Sequence, residues 1–377
     1  MGILLSSPGE AKLKCPKQTH RFRLLQVSEN FEDRLEIQKC AGLVRGRMAE
    51  EQQDHVTKDL GKLLAGQPVP VNTIDFKRKD ALQFVPRTKV NTGYIVMTIL
   101  FNKNGQVLLV QEAKESCHGM WYLPAGRLER NETLVEGAKR EVKEEAGLDC
   151  DIVTLLHVHF GCARWMRLSF FGVVTGGQLK TLAEADEESL QAEFYDVSAI
   201  LNGEVELRAG DIIPPIQQAL EYKNSLESTP LHPPLLPTLT PHPLLLHRFV
   251  LVADLADNGG LRMLASNKER PHIITTVISP HDTSLNITLH SVLREGISGD
   301  KFNLTLHGIL GVEHDGLSGQ HDGICITTLA SLSLPPNRGL PSLRDMSYRW
   351  VALTDQASVN ALRHAMNCHT VMLIQKA

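Results

Sequence analysis

Between Gly126 and Leu148 the chain spaces glycine, acidic, basic and aliphatic residues so that little conformational choice is left. Asn131 is a good helix N-cap, and Gly147 is a good stop just past the last turn. Between them Leu134, Ala138 and Val142 recur every four residues, as in an amphipathic helix with one apolar face toward a core. At about 100° per residue Glu141, Glu144 and Glu145 fall together, with Glu141 and Glu145 at the edge of that face. They also occupy the last turn, where the helix dipole disfavours negative charge. Three clustered carboxylates beside a core call for a counter-charge. A hard divalent cation such as Mg²⁺ supplies one, and shares its oxygen ligands readily with phosphate.

An acidic helix is more commonly a solvated face, steadied by i,i+4 pairs such as Glu136–Arg140. That explanation leaves out the segment His118–Gly126, whose Trp121-Tyr122-Leu123-Pro124-Ala125-Gly126 run predicts a strand and tight loop feeding the helix. Taken whole, Gly126, Glu132, Arg140, Glu141, Val142, Glu144, Glu145, Gly147 and Leu148 match the pattern Gly-x5-Glu-x7-Arg-Glu-U-x-Glu-Glu-x-Gly-U, with U aliphatic. The chain therefore resembles the Nudix family, with its box at 126–148.

The resemblance implies an α/β fold, an α/β/α sandwich around a mixed sheet. It implies a hydrolase in which Glu141, Glu144 and Glu145, with Gly126, bind Mg²⁺, for which Mn²⁺ can substitute. Arg140 orients those glutamates, and Glu132 holds the loop through Arg140 or backbone groups. Catalytic roles fall to Glu141, Glu144, Glu145 and Arg140. A further metal carboxylate is expected in the acidic loop 184–189, Glu188 first and Glu187 second, with a solvated loop as the even alternative. Leu108, on the strand before the box, is expected to contact substrate as an apolar wall or through its backbone, with a core position in a buried strand as the at least equal alternative. Trp121 is expected to pack as scaffold rather than stack on a base. The stretches 107–114, 121–126, 144–148, 189–192 and 322–325 further resemble family members that hydrolyse oxidised guanine nucleoside diphosphates. The substrate expectation rests on that likeness alone. Alternatives are another diphosphate such as ADP-ribose, or a non-catalytic module that senses nucleotides.

At 377 residues the chain is long enough for two cores. A net charge of −4 gives no electrostatic case for direct nucleic-acid contact or an anionic membrane, leaving a small nucleotide as the expected partner. No apolar run reaches the roughly 18 residues that span a bilayer. Seven cysteines without metal spacing predict reduced thiols and a cytoplasmic location. Residues 1–85 are expected to be an N-terminal extension, partly disordered, with a loose Met1-Gly2 acylation pattern and a second plausible start at Met48. Strands are predicted at 92–101, 106–112, 151–160 and 166–175, and a helix at 214–226. Together 86–228 should form the Nudix domain. Prolines crowd 230–243, predicting an extended linker over 229–245. Residues 246–377 echo the strand order after the box without its acids, predicting a smaller, degenerate Nudix-like α+β lobe dispensable for hydrolysis. His314-Asp315 and His321-Asp322 are expected to be turn residues rather than a metal cluster.

Overall fold

Residues 92–101 carry apolar side chains at successive positions, as a strand covered on both faces requires. The computed structural model describes residues 55–377 apart from 163, 229, 256–259, 299–302, 317–320, 335–338, 368–370, 376 and 377. Helices α1 (residues 55–64) and α2 (Lys79–Gln83) come first. The first lobe then runs β1 (Gly93–Leu100), β2 (Val107–Glu112), β3 (Trp121–Tyr122), β4 (Ala125–Arg127), α3 (Leu134–Ala146), β5 (Leu148–Cys162), β6 (Trp165–Gly177), β7 (Ser189–Tyr195), α4 (Val197–Leu201) and α5 (Ile213–Ser225). On β1, Val96 and Leu100 join the core beneath Leu134, Ala138 and Val142 of α3. Met97 and Ile99 join the opposite core, with Ile216, Ala219 and Tyr222 of α5. Helices thus cover both faces of a mixed sheet, and each fully buried aliphatic side chain contributes about 1.5–3 kcal/mol.

The second lobe repeats this plan. It comprises β8 (His242–Leu255), β9 (Gly260–Ser266), β10 (Thr275–Val277), α6 (Asn286–Gly296), β11 (Ile297–Ser298), β12 (Asn303–Glu313), β13 (Asp322–Ser333), β14 (Ser342–Leu343), β15 (Tyr348–Ala352), α7 (Gln356–Asn367) and β16 (Met372–Gln375). In the first lobe β1 pairs antiparallel with β4 and parallel with β6, β5 pairs with β6, and β2 with β7. In the second, β8 pairs antiparallel with β10 and parallel with β13, β12 pairs with β13, and β9 with β15. Each lobe sets its helix, α3 or α6, between equivalent strands. Glu295 is the single acidic residue of α6, so the second lobe has the framework without the acids.

Register shows what replaced a cleft there. Met97 lies opposite Ala125 and Ser169, and Arg248 opposite Thr275 and Thr327. Arg248 is 1 % exposed; it donates to Glu313 at 2.6 Å and to the Val69 carbonyl at 2.5 Å. The segment after α1 therefore lies across this face, and a cavity of about 340 Å³ remains.

Three boundaries differ from expectation. Within 1–85, the described α1 is packed down: Val56, Leu60 and Leu63 pack with Val250, Met263 and Val351 of the second lobe. The proline segment is held too, because Leu155 donates its N–H to the Leu235 carbonyl and β8 already begins at His242. Nor are the lobes separate. Leu245, Ile278, Ile309, Ile324 and Val371 share one core with Tyr94, Val96 and Leu168, and β16 extends the first lobe's sheet by pairing with β5. Residues 51–377 form one compact unit. The Met1-Gly2 pattern, the alternative start and Cys15, Cys40 and Cys368 lie outside the described residues. Cys117, Cys150, Cys162 and Cys325 are free thiols, and no described helix is long and apolar enough to cross a membrane.

Burial lowers the pKa of three ring groups: His157 to about 4, His247 to about 3 and His314 to about 4. Their unfolded value is 6.5, so below it the unfolded chain binds protons that the folded chain refuses, and stability falls with pH. Glu145, pushed up to about 8, acts in the opposite sense in metal-free protein. The buried rings outweigh the raised carboxyl, so stability is predicted to fall as the pH drops from 7 toward 5. Urea midpoints measured from pH 7 to 5 check this; a flat profile means that the rings ionise in place.

Candidate active site

Helix α3 starts two residues later than predicted. Thr133, not Asn131, is the N-cap: its hydroxyl accepts the Glu136 N–H at 3.1 Å, while the Glu136 carboxylate accepts the Thr133 N–H at 2.9 Å. This reciprocal pair satisfies two otherwise orphaned groups. Asn131 instead occupies the left-handed turn before it, at φ 59°. Gly147, at φ 75°, ends the helix.

The cap sets the helix phase, which buries Glu141 and Glu145 beside Ala138 and Val142 while leaving Glu144 exposed. Glu145 is 4 % exposed and accepts the Ala125 N–H at 2.9 Å. Burial pushes its carboxyl up to about 8. Burial also raises Glu141, against the pull of Arg140. Strand pairing puts Gly126 opposite Val96, and a Cβ there would lie 2.1 Å from the Glu141 carboxylate, so any larger residue would displace that carboxylate.

Arg140 spends its fork on this cluster. Its Nε donates to Glu132 at 2.7 Å, Nη1 to Glu141 and Glu144 at 2.8 Å each, and Nη2 to Glu132 at 3.0 Å and to the Arg127 carbonyl at 3.1 Å. One guanidinium thus faces four carboxylates, of which Glu145 receives nothing from it. Buried carboxylates with incomplete compensation, at the negative end of a helix, fit a hard divalent cation.

These groups line a cleft of about 940 Å³. Ile95, Met97, Tyr122, Trp165, Arg167 and Arg208 line it too. Arg167 is buried and donates to Asp211 at 2.7 Å and to the Tyr122 hydroxyl at 2.8 Å. The Arg208 guanidinium lies over the Tyr122 ring, 4.8 Å from its centroid. Carboxylates together with fixed aromatic and cationic groups in one cleft suit a ligand with a phosphate chain and a flat polar ring.

The NUDIX domain family model matches residues 92–215. An 8-oxo-dGDP phosphatase NUDT18 of Danio rerio is 35 % identical over 318 residues, covering 81 % of this chain and 93 % of that protein. The Homo sapiens protein of the same name is 32 % identical over 325 residues, covering 84 % and 97 %. The chain belongs to the Nudix family.

Within this Nudix chain the structure brings Gly126, Arg140, Glu141, Glu144 and Glu145 together on the cleft. Glu188 lies exposed on its rim, near enough to raise Glu141 electrostatically. Leu108 does not line the cleft: its side chain is 0 % exposed. Along β2, Leu108 and Val110 enter one core and Val107 and Leu109 the other, which leaves none of these four side chains for a ligand. Trp121 packs against Tyr195 at 4.8 Å, as scaffold. Sequence reasoning missed the aromatic and arginine lining of the cleft altogether. Tyr122, Trp165, Arg167 and Arg208 come from three separated segments, and only the alternation of Trp165 and Arg167 along β6 hinted that they share a face.

Proposed function

We propose that this protein hydrolyses oxidised purine nucleoside diphosphates, 8-oxo-dGDP, 8-oxo-GDP and 8-oxo-dADP, to monophosphates and phosphate with Mg²⁺, keeping damaged nucleotides out of the pool that feeds polymerases. One observation carries the reading: the carboxylate cluster and its arginine are intact in a chain that aligns across nine-tenths of relatives named for 8-oxo-dGDP. Glu141, Glu144 and Glu145, with Gly126 and Glu188, would hold the ion. When bound, a divalent cation neutralises phosphoryl charge and acidifies water. Arg140 keeps Glu141 and Glu144 apart and aimed. Glu144 and Glu188 are the exposed members of the set, so they are the carboxylates a cleft water reaches and to which it can pass its proton. The aromatic and arginine wall receives the base.

Release of monophosphate from 8-oxo-dGDP, dGDP, 8-oxo-dGTP and ADP-ribose, with and without Mg²⁺, tests this. Mg²⁺-dependent preference for 8-oxo-dGDP is expected. Turnover of ADP-ribose in its place discards the substrate and keeps the chemistry. No turnover of any of them discards the enzyme in favour of a sensing module.

A further inference from the structure

The second lobe reaches the catalytic loop through Gly316. This glycine is left-handed, at φ 64°, and a Cβ on it would lie 2.1 Å from the Glu132 carbonyl oxygen. The chain on either side is anchored to the start of β1. His314, 0 % exposed, meets Tyr94 edge-on at 4.9 Å. The Asp322 carbonyl accepts the Tyr94 hydroxyl at 2.6 Å, and its carboxylate accepts the Thr88 N–H at 2.9 Å. These residues were expected to be plain turn residues, but His314 and Asp322 are buried parts of the lobe contact.

Glu132 is not a passive neighbour. It accepts from Nε and Nη2 of Arg140, at 2.7 and 3.0 Å, and from the Glu129 N–H at 2.9 Å. The remaining terminal nitrogen of Arg140 holds Glu141 and Glu144. A continuous path therefore runs from Gly316 through Glu132 and Arg140 to two of the cleft carboxylates. We infer that the second lobe is a positioning device for the hydrolytic site: Gly316 sets the place of Glu132, and through Arg140 the spacing of Glu141 and Glu144. The inference rests on the metal-site reading of the box, not on the identity of the nucleotide. It gives a role to a lobe that has the fold without the acids.

The test is Gly316→Ala in the full chain, compared with Gly66→Ala. Gly66 is equally left-handed, at φ 69°, but has nothing within 4 Å of its Cβ position, so it reports backbone strain alone. Mn²⁺ binding by paramagnetic resonance titration is the primary readout, with kcat and KM alongside. Gly316→Ala should weaken Mn²⁺ binding and lower kcat by about 10- to 100-fold, the usual effect of disturbing outer partners of a metal site. KM should move little. Combined with Glu132→Gln, it should add little to the loss caused by Glu132→Gln alone, because both act through one residue. Tyr94→Phe removes only the hydroxyl that Asp322 accepts; it should shift Mn²⁺ affinity in the same direction if Gly316→Ala fails to fold. Mn²⁺ binding equal to that of Gly66→Ala, multiplying effects in the double variant, or an unmoved Tyr94→Phe would overturn the inference. Normal Mn²⁺ binding by the parent chain without turnover of any oxidised nucleotide would sink the proposed substrate and leave this test standing.

Discussion

Removing residues 229–377 is expected to abolish hydrolysis by unfolding the first lobe, contrary to the independence that the proline-rich boundary predicts. The cut strips Leu245, Ile278, Leu285, Ile309, Val312, Ile324, Ile326 and Val371 from the core that holds Tyr94, Val96 and Leu168. They cover the facing apolar side chains of the first lobe, and at about 1.5–3 kcal/mol for each residue whose burial is lost, exposing several of them rivals the 5–15 kcal/mol by which domains are ordinarily stable. It also removes β16 from the edge of β5, and leaves the Tyr94 hydroxyl and the Thr88 N–H without their Asp322 partners. Circular dichroism and urea titration of the fragment 55–228 check this. A soluble fragment that unfolds cooperatively and keeps the parent rate would show that the shared core adds nothing to the first lobe.

Glu145→Gln should reduce turnover by on the order of a hundredfold or more while leaving the fold intact. Disturbing outer partners of a metal site alone costs about 10- to 100-fold, and here the expected ligand itself is altered. The amide oxygen can still accept the Ala125 N–H, now accepted by the carboxylate at 2.9 Å. It also no longer brings an ionisable group into a site that pushes the carboxyl up to about 8. The metal-free variant should therefore melt at the parent temperature or above it, separating lost chemistry from lost structure. Glu144→Gln should lose activity as well, with a smaller effect on melting because Glu144 is exposed. Near-parent kcat in Glu145→Gln at saturating Mg²⁺ would mean that the site has been misassigned.

Local signals carried far along this chain. The box spacing, the acidic last turn and the glycine stop are short-range, and α3 follows them with its start moved from Asn131 to Thr133. That shift has a local cause: Thr133 has Glu136 three residues on for a reciprocal cap, and Asn131 tolerates the left-handed turn before it. The repeated strand order of residues 246–377 was also legible, because alternating apolar segments and turns mark strands wherever they occur.

Leu108 shows the limit. Nothing in Val107-Leu108-Leu109-Val110 tells a strand beside a ligand from one between two cores, and the pairing of β2 with β3 and β7 decided for the second. The wall of Tyr122, Trp165, Arg167 and Arg208 was invisible for a related reason: its members meet only when the sheet brings three distant segments to one cleft. The amino-acid sequence by itself determined the helix, its three glutamates and the arginine that serves them, since residues three and four apart on a helix are neighbours whatever surrounds them. Tertiary structure alone decided that Glu145 is buried, that Tyr122, Trp165, Arg167 and Arg208 share a cleft with the glutamates, and that Gly316 from the second lobe rests against Glu132. Those outcomes depend on contacts between residues tens to hundreds of positions apart, which no local spacing encodes.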